Sequence, residues 1–284
     1  MITGMPRVAI AVRDFAAAVA RFGDELGMPV LDVSEASVPS LGARIAMCMP
    51  EGGSHIELMS PADLEAPLSQ SLQRFLDRRG EGLFALMLEA PDPDAEAEVL
   101  SGRGLLVLPT MDGAAGRDVH PSSTHGVLIR VYPVDSFRGV APAPRVDRPF
   151  PALSGIARVL VAVHDVDHAA RVYGRQLGIE TDEPSLDSER GVRMATCRPV
   201  AGGRIELVAP ERPDRPFARS IADHLARRPE GMFALVLESA APRAVCDALT
   251  ACGLDVRPAA DRLDVVEVER ESACGALLRI EPSA

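Results

Sequence analysis

Four segments of this chain occur twice, in the same order and at nearly constant spacing. Arg7–Asp14 (RVAIAVRD) returns as Arg158–Asp165 (RVLVAVHD), and Ile56-Glu57-Leu58 returns as Ile205-Glu206-Leu207. Glu81–Glu89 (EGLFALMLE) returns as Glu230–Glu238 (EGMFALVLE), and Gly126–Arg130 (GVLIR) as Gly275–Arg279 (GALLR). The offset is 151 residues for the first pair and 149 for the other three. A repeat this long and this regular means that one structural unit is built twice. Polar residues inside the strand-like runs recur together with the apolar ones, so whatever those polar groups do is also duplicated.

Each copy divides again. Arg7–Val12 alternates as a half-buried strand does, and Asp14 is placed to cap a helix carrying Phe15, Val19, Phe22 and Leu26, closed by Gly27. The second copy has Asp165, then Ala169, Val172, Tyr173, Leu177 and Gly178. Strands follow at Arg44–Met49 and His55–Met59, with Gly52-Gly53 as the turn between them. A further unit opens at Leu83–Leu88, passes through a helix near Asp94–Ser101, and ends with strands at Leu105–Leu108 and Val127–Val131. The pattern is βαβββ four times, two units per copy: an α+β protein of two tandem domains. The domains are expected at 1–134 and 154–284. Pro142, Pro144, Pro149 and Pro151 mark 135–153 as a stiff, proline-rich linker.

A length of 284 residues is enough for two domains with cores of their own, and 47% apolar and 25% charged residues are ordinary for a globular chain. The net charge of −11 argues against nucleic acid or an anionic membrane as partner, although a local basic groove stays compatible with it. No apolar run approaches the length of a membrane span, and no basic-then-apolar leader opens the chain, so a cytoplasmic location is expected. Five scattered cysteines without a CxxC pair fit a reducing setting. Cys48 and Cys197, at equivalent places in the two copies, are expected to be core residues.

The strand Val8–Val12 with Asp14, the Ile56-Glu57-Leu58 strand followed by Pro61, Gly80-Glu81-Gly82, and the segment His120–Ile129 (HPSSTHGVLI) resemble the vicinal oxygen chelate superfamily. Its members include glyoxalase I, bleomycin-resistance proteins, extradiol dioxygenases and methylmalonyl-CoA epimerase. The resemblance implies that paired βαβββ units curl into a cup whose inward side chains bind a divalent metal. It implies ligands at four positions: a first-strand histidine, a Glu or Gln in the IEL strand, a histidine opening the second unit, and a glutamate in the last strand. Those positions here hold Arg7, Glu57, Ala85 and Arg130 in the first copy, and Arg158, Glu206, Ala234 and Arg279 in the second. Arginine is a permanent cation that only donates hydrogen bonds, and alanine offers no donor atom, so neither can ligate a metal. No metal and no other cofactor is therefore expected in either cup.

Strand alternation places Arg7, Ala9, Ala11, Glu57 and Arg130 on one face. Three readings of the Arg–Glu–Arg sets stay open. They are closed ion clusters filling an emptied site; or a net-positive lining for a small anionic ligand, a carboxylate or acyl thioester; or catalytic centres in which Glu57 or Glu206 removes a proton next to a carbonyl and arginine replaces the metal. The corresponding functions, in that order, are a structural or protein-interaction role, a glyoxalase-like, metal-free binding protein, and an isomerase, epimerase or lyase. His55, His120 and His125 are the candidates for a displaced metal site. His164, His168 and His224 read as surface or helix-cap residues, and Glu89 and Glu238 lie on the cup face or its rim. Without tryptophan and with two tyrosines, an aromatic cage is not expected. The oligomeric state is open.

Overall fold

The computed structural model describes residues 1–111, 113–137, 139–143 and 150–283. In the first copy, β1 (Gly4–Ala11) leads to α1 (Phe15–Ala20), β2 (Val30–Asp32), α2 (Ser34–Leu41), β3 (Ala43–Cys48) and β4 (His55–Pro61). Next come α3 (Pro67–Arg79), β5 (Gly82–Ala90), α4 (Pro93–Gly102), β6 (Arg117–Val119) and β7 (Leu128–Pro133). The second copy runs β8 (Arg158–Ala162), α5 (Val166–Arg171), β9 (Glu180–Thr181), β10 (Ser185–Asp187), β11 (Val192–Arg198), β12 (Ala201–Gly202) and β13 (Arg204–Pro210). It continues with α6 (Pro216–Arg227), β14 (Gly231–Ser239), α7 (Pro242–Ala251), β15 (Val256–Pro258), β16 (Val266–Val268) and β17 (Leu278–Pro282). None of these helices is long and apolar enough to cross a membrane.

Each copy forms one mixed sheet. The first has the order β2-β3-β4-β1-β5-β7-β6 and the second β10-β11-β13-β8-β14-β17-β16-β15. Within a unit the first and last strands run parallel (β1 with β4, β5 with β7), as a βαβββ unit requires. The two units of a sheet meet through antiparallel pairs, β1 with β5 and β8 with β14. The copies are also stitched together. The short β12 adds to β1, pairing Gly4 with Ala201, and Ser54 bridges to Ile156 in the reciprocal direction.

The period-2 pattern sorts the side chains as expected. Val8, Ile10, Ile56, Leu58, Ile129 and Val131 point to one face and join a core that is continuous between the copies. Ala9, Ala11, Met59, Ala85 and Met87 point to the other. Asp14 accepts a hydrogen bond from the Ala17 amide (3.0 Å), and Asp165 does the same for His168 (2.9 Å), fixing the start of α1 and α5. After α1 and α5 the backbone widens into a π-helical turn, Arg21–Glu25 and Val172–Gln176.

Two differences from the sequence reading bear on function, and one expectation falls partly outside the described residues. Leu105–Leu108 forms no strand; only Val107 bridges, to Val119. Of the stretch 135–153, residues 138 and 144–149, which include Pro144 and Pro149, lie outside the described residues. Most consequential are α3 and its counterpart α6, which the βαβββ reading left out. Leu68, Leu72, Phe75 and Leu76 of α3 pack onto the Ala9–Ala85 face. Phe217, Ala218 and Ile221 of α6 pack onto the equivalent face around Leu160 and Ala234. Each helix therefore lies over the face on which the resemblance places a metal, and burying its leucines and phenylalanines there contributes roughly 1.5–3 kcal/mol per side chain.

Candidate functional site

Register decides which charged groups can meet. Arg7 stands opposite His55 on β4 and Met87 on β5; Met87 stands opposite Arg130 on β7; and Arg130 stands opposite Asp118 on β6. Glu57 lies one row on, opposite Ala9. Arg130 is thus three strands from Glu57 and has an acid on the very next strand, where directly paired side chains sit closest. The outcome is two separate ion pairs in place of one Arg–Glu–Arg set. Arg7 Nε donates to Glu57 Oε2 at 2.9 Å, and Arg130 donates twice to Asp118, Nε to Oδ1 at 2.5 Å and Nη2 to Oδ2 at 2.7 Å. Tyr132 lies under Arg7, with the guanidinium carbon 4.6 Å from the ring centroid, and Arg7 Nη1 reaches Ser136 Oγ at 3.3 Å.

All four of these charged residues are buried; Arg130 is only 1% exposed. Burial alone would lower an arginine pKa. For Arg130 the Asp118 hydrogen bonds and nearby Tyr132 outweigh it and raise the value, and Glu57 and Tyr132 do the same for Arg7. Both guanidinium groups are firmly charged. His55 is held below its ordinary pKa by burial and by Arg7, whereas burial raises Glu89 against the opposing pull of Arg7.

The second copy repeats the arrangement with variations. Arg279 donates to Glu267 (2.5 Å) and Asp261 (2.9 Å), while Arg158 pairs with Glu206 (3.1 Å) and Glu281 (2.6 Å) and more loosely with Glu238 (3.8 Å). Arg190, stacked on Phe217, takes the other Glu206 oxygen at 3.3 Å. Tyr132 of the first copy is replaced by Glu281 and Asp118 by Glu267, each 149 residues on. The Arg158 side chain keeps 21% exposure against 7% for Arg7, so the second cup is the more open of the two.

These residues do not fit the metal that the resemblance implies. Glu57 and Glu206 are the sole carboxylates at the four positions of each copy, and each is engaged by guanidinium. A divalent cation would have to displace a permanent cation and still lack three donors. Among the described residues, no atom of the cup arginines or of their carboxylate partners is both buried and without a hydrogen-bond partner. A cavity of about 90 Å³ beside Arg130 and Tyr132 is too small for an organic ligand.

The histidines do not converge. His55 stays beside Arg7. His120 caps the short turn Pro121–Ser123, its Nδ1 taken by Ser122. His125, in a left-handed turn (φ 53°), leaves the cup altogether and contacts Glu230 (2.9 Å) and His168 (2.8 Å) of the second copy. Among the described residues, no three His, Cys, Asp or Glu side chains group as a metal site. His224, expected at the surface, is half-buried against Phe233 (centroids 5.2 Å apart). Cys48 and Cys197 are core residues, and burial raises both thiols, that of Cys197 to about 12.

Asp118, Glu267, Asp261, Glu281 and Arg190 complete these pairs and were not singled out by sequence reasoning. Asp118 and Glu267 carried a readable signal, since an acid recurs there at the repeat spacing of 149 residues.

Residues 7–120 match the family model described as the Glyoxalase/Bleomycin resistance protein/Dioxygenase superfamily. A mutant of 4-hydroxymandelate synthase from Streptomyces coelicolor superposes with a TM-score of 0.66 at 14% identity, covering 99% of this chain and 92% of its own. A xylose isomerase-like TIM barrel/4-hydroxyphenylpyruvate dioxygenase fusion protein superposes with a TM-score of 0.59 at 14% identity, covering 99% of this chain and 49% of its own. Methylmalonyl-CoA epimerase from Mycobacterium tuberculosis aligns with 46% of this chain and 89% of its own, at 25% identity and a TM-score of 0.39. No curated protein matches the chain. At 14% identity the two full-length superpositions establish a shared two-domain fold and nothing of the chemistry.

Proposed function

We propose, for a chain that carries a glyoxalase/bleomycin resistance protein/dioxygenase superfamily domain at residues 7–120, a metal-independent role in binding a small organic anion. The observation that carries this reading is the pairing at the former ligand positions. In each copy two guanidinium groups stand where metal ligands would be, and each is held by a carboxylate of the same sheet: Arg7–Glu57 and Arg130–Asp118, Arg158–Glu206 and Arg279–Glu267. The first cup is a closed, structural version of this arrangement. The second keeps one reachable cation, Arg158.

Glu238 is the weakest partner of Arg158, at 3.8 Å and with a third of its side chain exposed. A ligand carboxylate or thioester oxygen entering the second cup would take that place. Glu206 and Glu281 remain on the same guanidinium, which limits the ligand to a single negative charge. Both Glu206 oxygens are already ion-paired with arginines, so proton abstraction by Glu206 is the weaker reading.

The test is calorimetric titration in excess EDTA with aliphatic and aromatic monocarboxylates and short acyl thioesters. Binding is expected without metal, and Glu238→Gln is expected to strengthen it by removing the competing carboxylate. Binding that requires a divalent metal would overturn the reading.

A further inference from the structure

Where the two copies meet, a cleft of about 570 Å³ opens between the C-terminal halves of α3 and α6, within the size range of organic-ligand sites. Its walls are duplicated like the rest of the chain. Arg78-Arg79 precede Glu81-Gly82 on one side, and Arg227-Arg228 precede Glu230-Gly231 on the other. Arg74 and Arg270 bring the lining to six guanidinium groups. The base of the cleft is rigid: a β-carbon at Gly126 would fall 1.9 Å from the Glu230 carbonyl oxygen, and one at Gly275 2.0 Å from that of Glu81.

Protein carboxylates do not neutralise this lining. The two acids in the wall are turned to other work: Glu81 accepts from the Arg13 amide (2.6 Å), and Glu230 from the His164 amide (2.6 Å) and His125 (2.9 Å). Among the described residues Arg74, Arg78, Arg79 and Arg228 form no ion pair, and Arg227 reaches only Asp223, at 3.9 Å. Arg270 is half-buried with only backbone carbonyls as acceptors, Phe233 at 2.8 Å and Gly275 at 3.3 Å. Burial and Arg228 push Arg270 down to about 10, and burial with Arg270, Arg228 and Arg227 pushes His224 down to about 4. Six guanidinium groups line the cleft against two carboxylates, with Asp223 beside Arg227 and Glu267, Glu269 and Glu271 acting on Arg270 from outside the lining, in a chain whose net charge is −11. Between the arginines the surface is apolar, formed by Phe75, Leu83, Phe84 and Met232.

We propose that this cleft binds an organic phosphate bearing an apolar or aromatic group, its phosphate held between the Arg78-Arg79 and Arg227-Arg228 pairs and its apolar part against Phe75, Leu83 and Met232. Guanidinium forks match phosphate oxygens bidentately. Four unpaired charges suit a multiply charged anion, which the carboxylate-rich second cup does not. The site is separate from that cup and stands independently of the function proposed for it.

The probe is 1-naphthyl phosphate, followed by its fluorescence, with 1-naphthol and inorganic pyrophosphate as the uncharged and non-apolar comparators. Saturable one-to-one binding is expected, weakening with salt, with naphthol and pyrophosphate each at least about tenfold weaker. Arg78→Glu and Arg227→Glu alter exposed side chains. Each is expected to weaken binding about tenfold or more with the fold retained by circular dichroism, and to leave monocarboxylate binding at the second cup as it was. No saturable binding at millimolar probe, or binding that both reversals leave intact, would overturn the proposal. Pyrophosphate binding as tightly as naphthyl phosphate would overturn its apolar half.

Discussion

Arg130 is a buried guanidinium whose stability rests on one acid. Asp118→Ala would leave that charge desolvated and unpaired, and is expected to cost roughly 3–5 kcal/mol in denaturant unfolding. Replacing both partners by apolar residues, Arg130→Met with Asp118→Leu, is expected to recover most of the loss, because the pair itself adds little net stability once desolvation is counted. A double variant no more stable than Asp118→Ala would contradict this. His224 provides a pH readout. Its neighbours are Phe233 and the cations Arg227, Arg228 and Arg270, and burial and those charges hold its pKa near 4 against an ordinary 6.5. A depressed pKa means that the neutral form is favoured in the fold. This contribution is complete above pH 6.5 and is lost as the pH falls toward about 4. An NMR titration of the imidazole should show that midpoint, and saturating naphthyl phosphate should raise it. The positions of Arg7, Glu57 and Arg130 on one face were legible from alternation alone. The partner of Arg130 was not, because β6 has three residues, too few to display a period, and only the repeat spacing betrays it.

At the scale of elements, α3 explains why the first cup is closed. Leu68, Leu72 and Leu76 recur every fourth residue and form one stripe, and Leu72 is fully buried against the sheet. Leu72→Ala is expected to cost about 2–5 kcal/mol, read as a shift in the denaturation midpoint at constant slope. A cost below 1 kcal/mol would mean that α3 is not packed on this face. The strands of the long central pairs were legible because both their faces are apolar and their polar exceptions recur. The helix spacing of α3 is equally present, but a βαβββ pattern has no slot for a helix between its fourth strand and the next unit. The strand expected at Leu105–Leu108 fails for a different reason: among the described residues its partner is the three-residue β6, which offers a single bridge at Val119.

At the scale of the molecule, the duplication has produced two sheets that do not stand apart. β12 extends the first sheet, Ser54 ties Met5 and Gly203 together, and the cores behind the two sheets are continuous. Scanning calorimetry should therefore show one unfolding transition; two resolved transitions would contradict the shared core. The repeat announced the two-copy architecture, and Arg78-Arg79 and Arg227-Arg228 recur in it, yet it could not show that the seam between copies concentrates arginine, since only the fold brings the ends of α3 and α6 to one cleft. The most direct test of the account is calorimetric titration of the metal-stripped protein with Mn²⁺, Co²⁺, Ni²⁺ and Zn²⁺. Arginine at two of the four positions in each copy predicts no binding that responds to Glu57→Gln or Glu206→Gln. One metal ion per copy, lost in those variants, would contradict it.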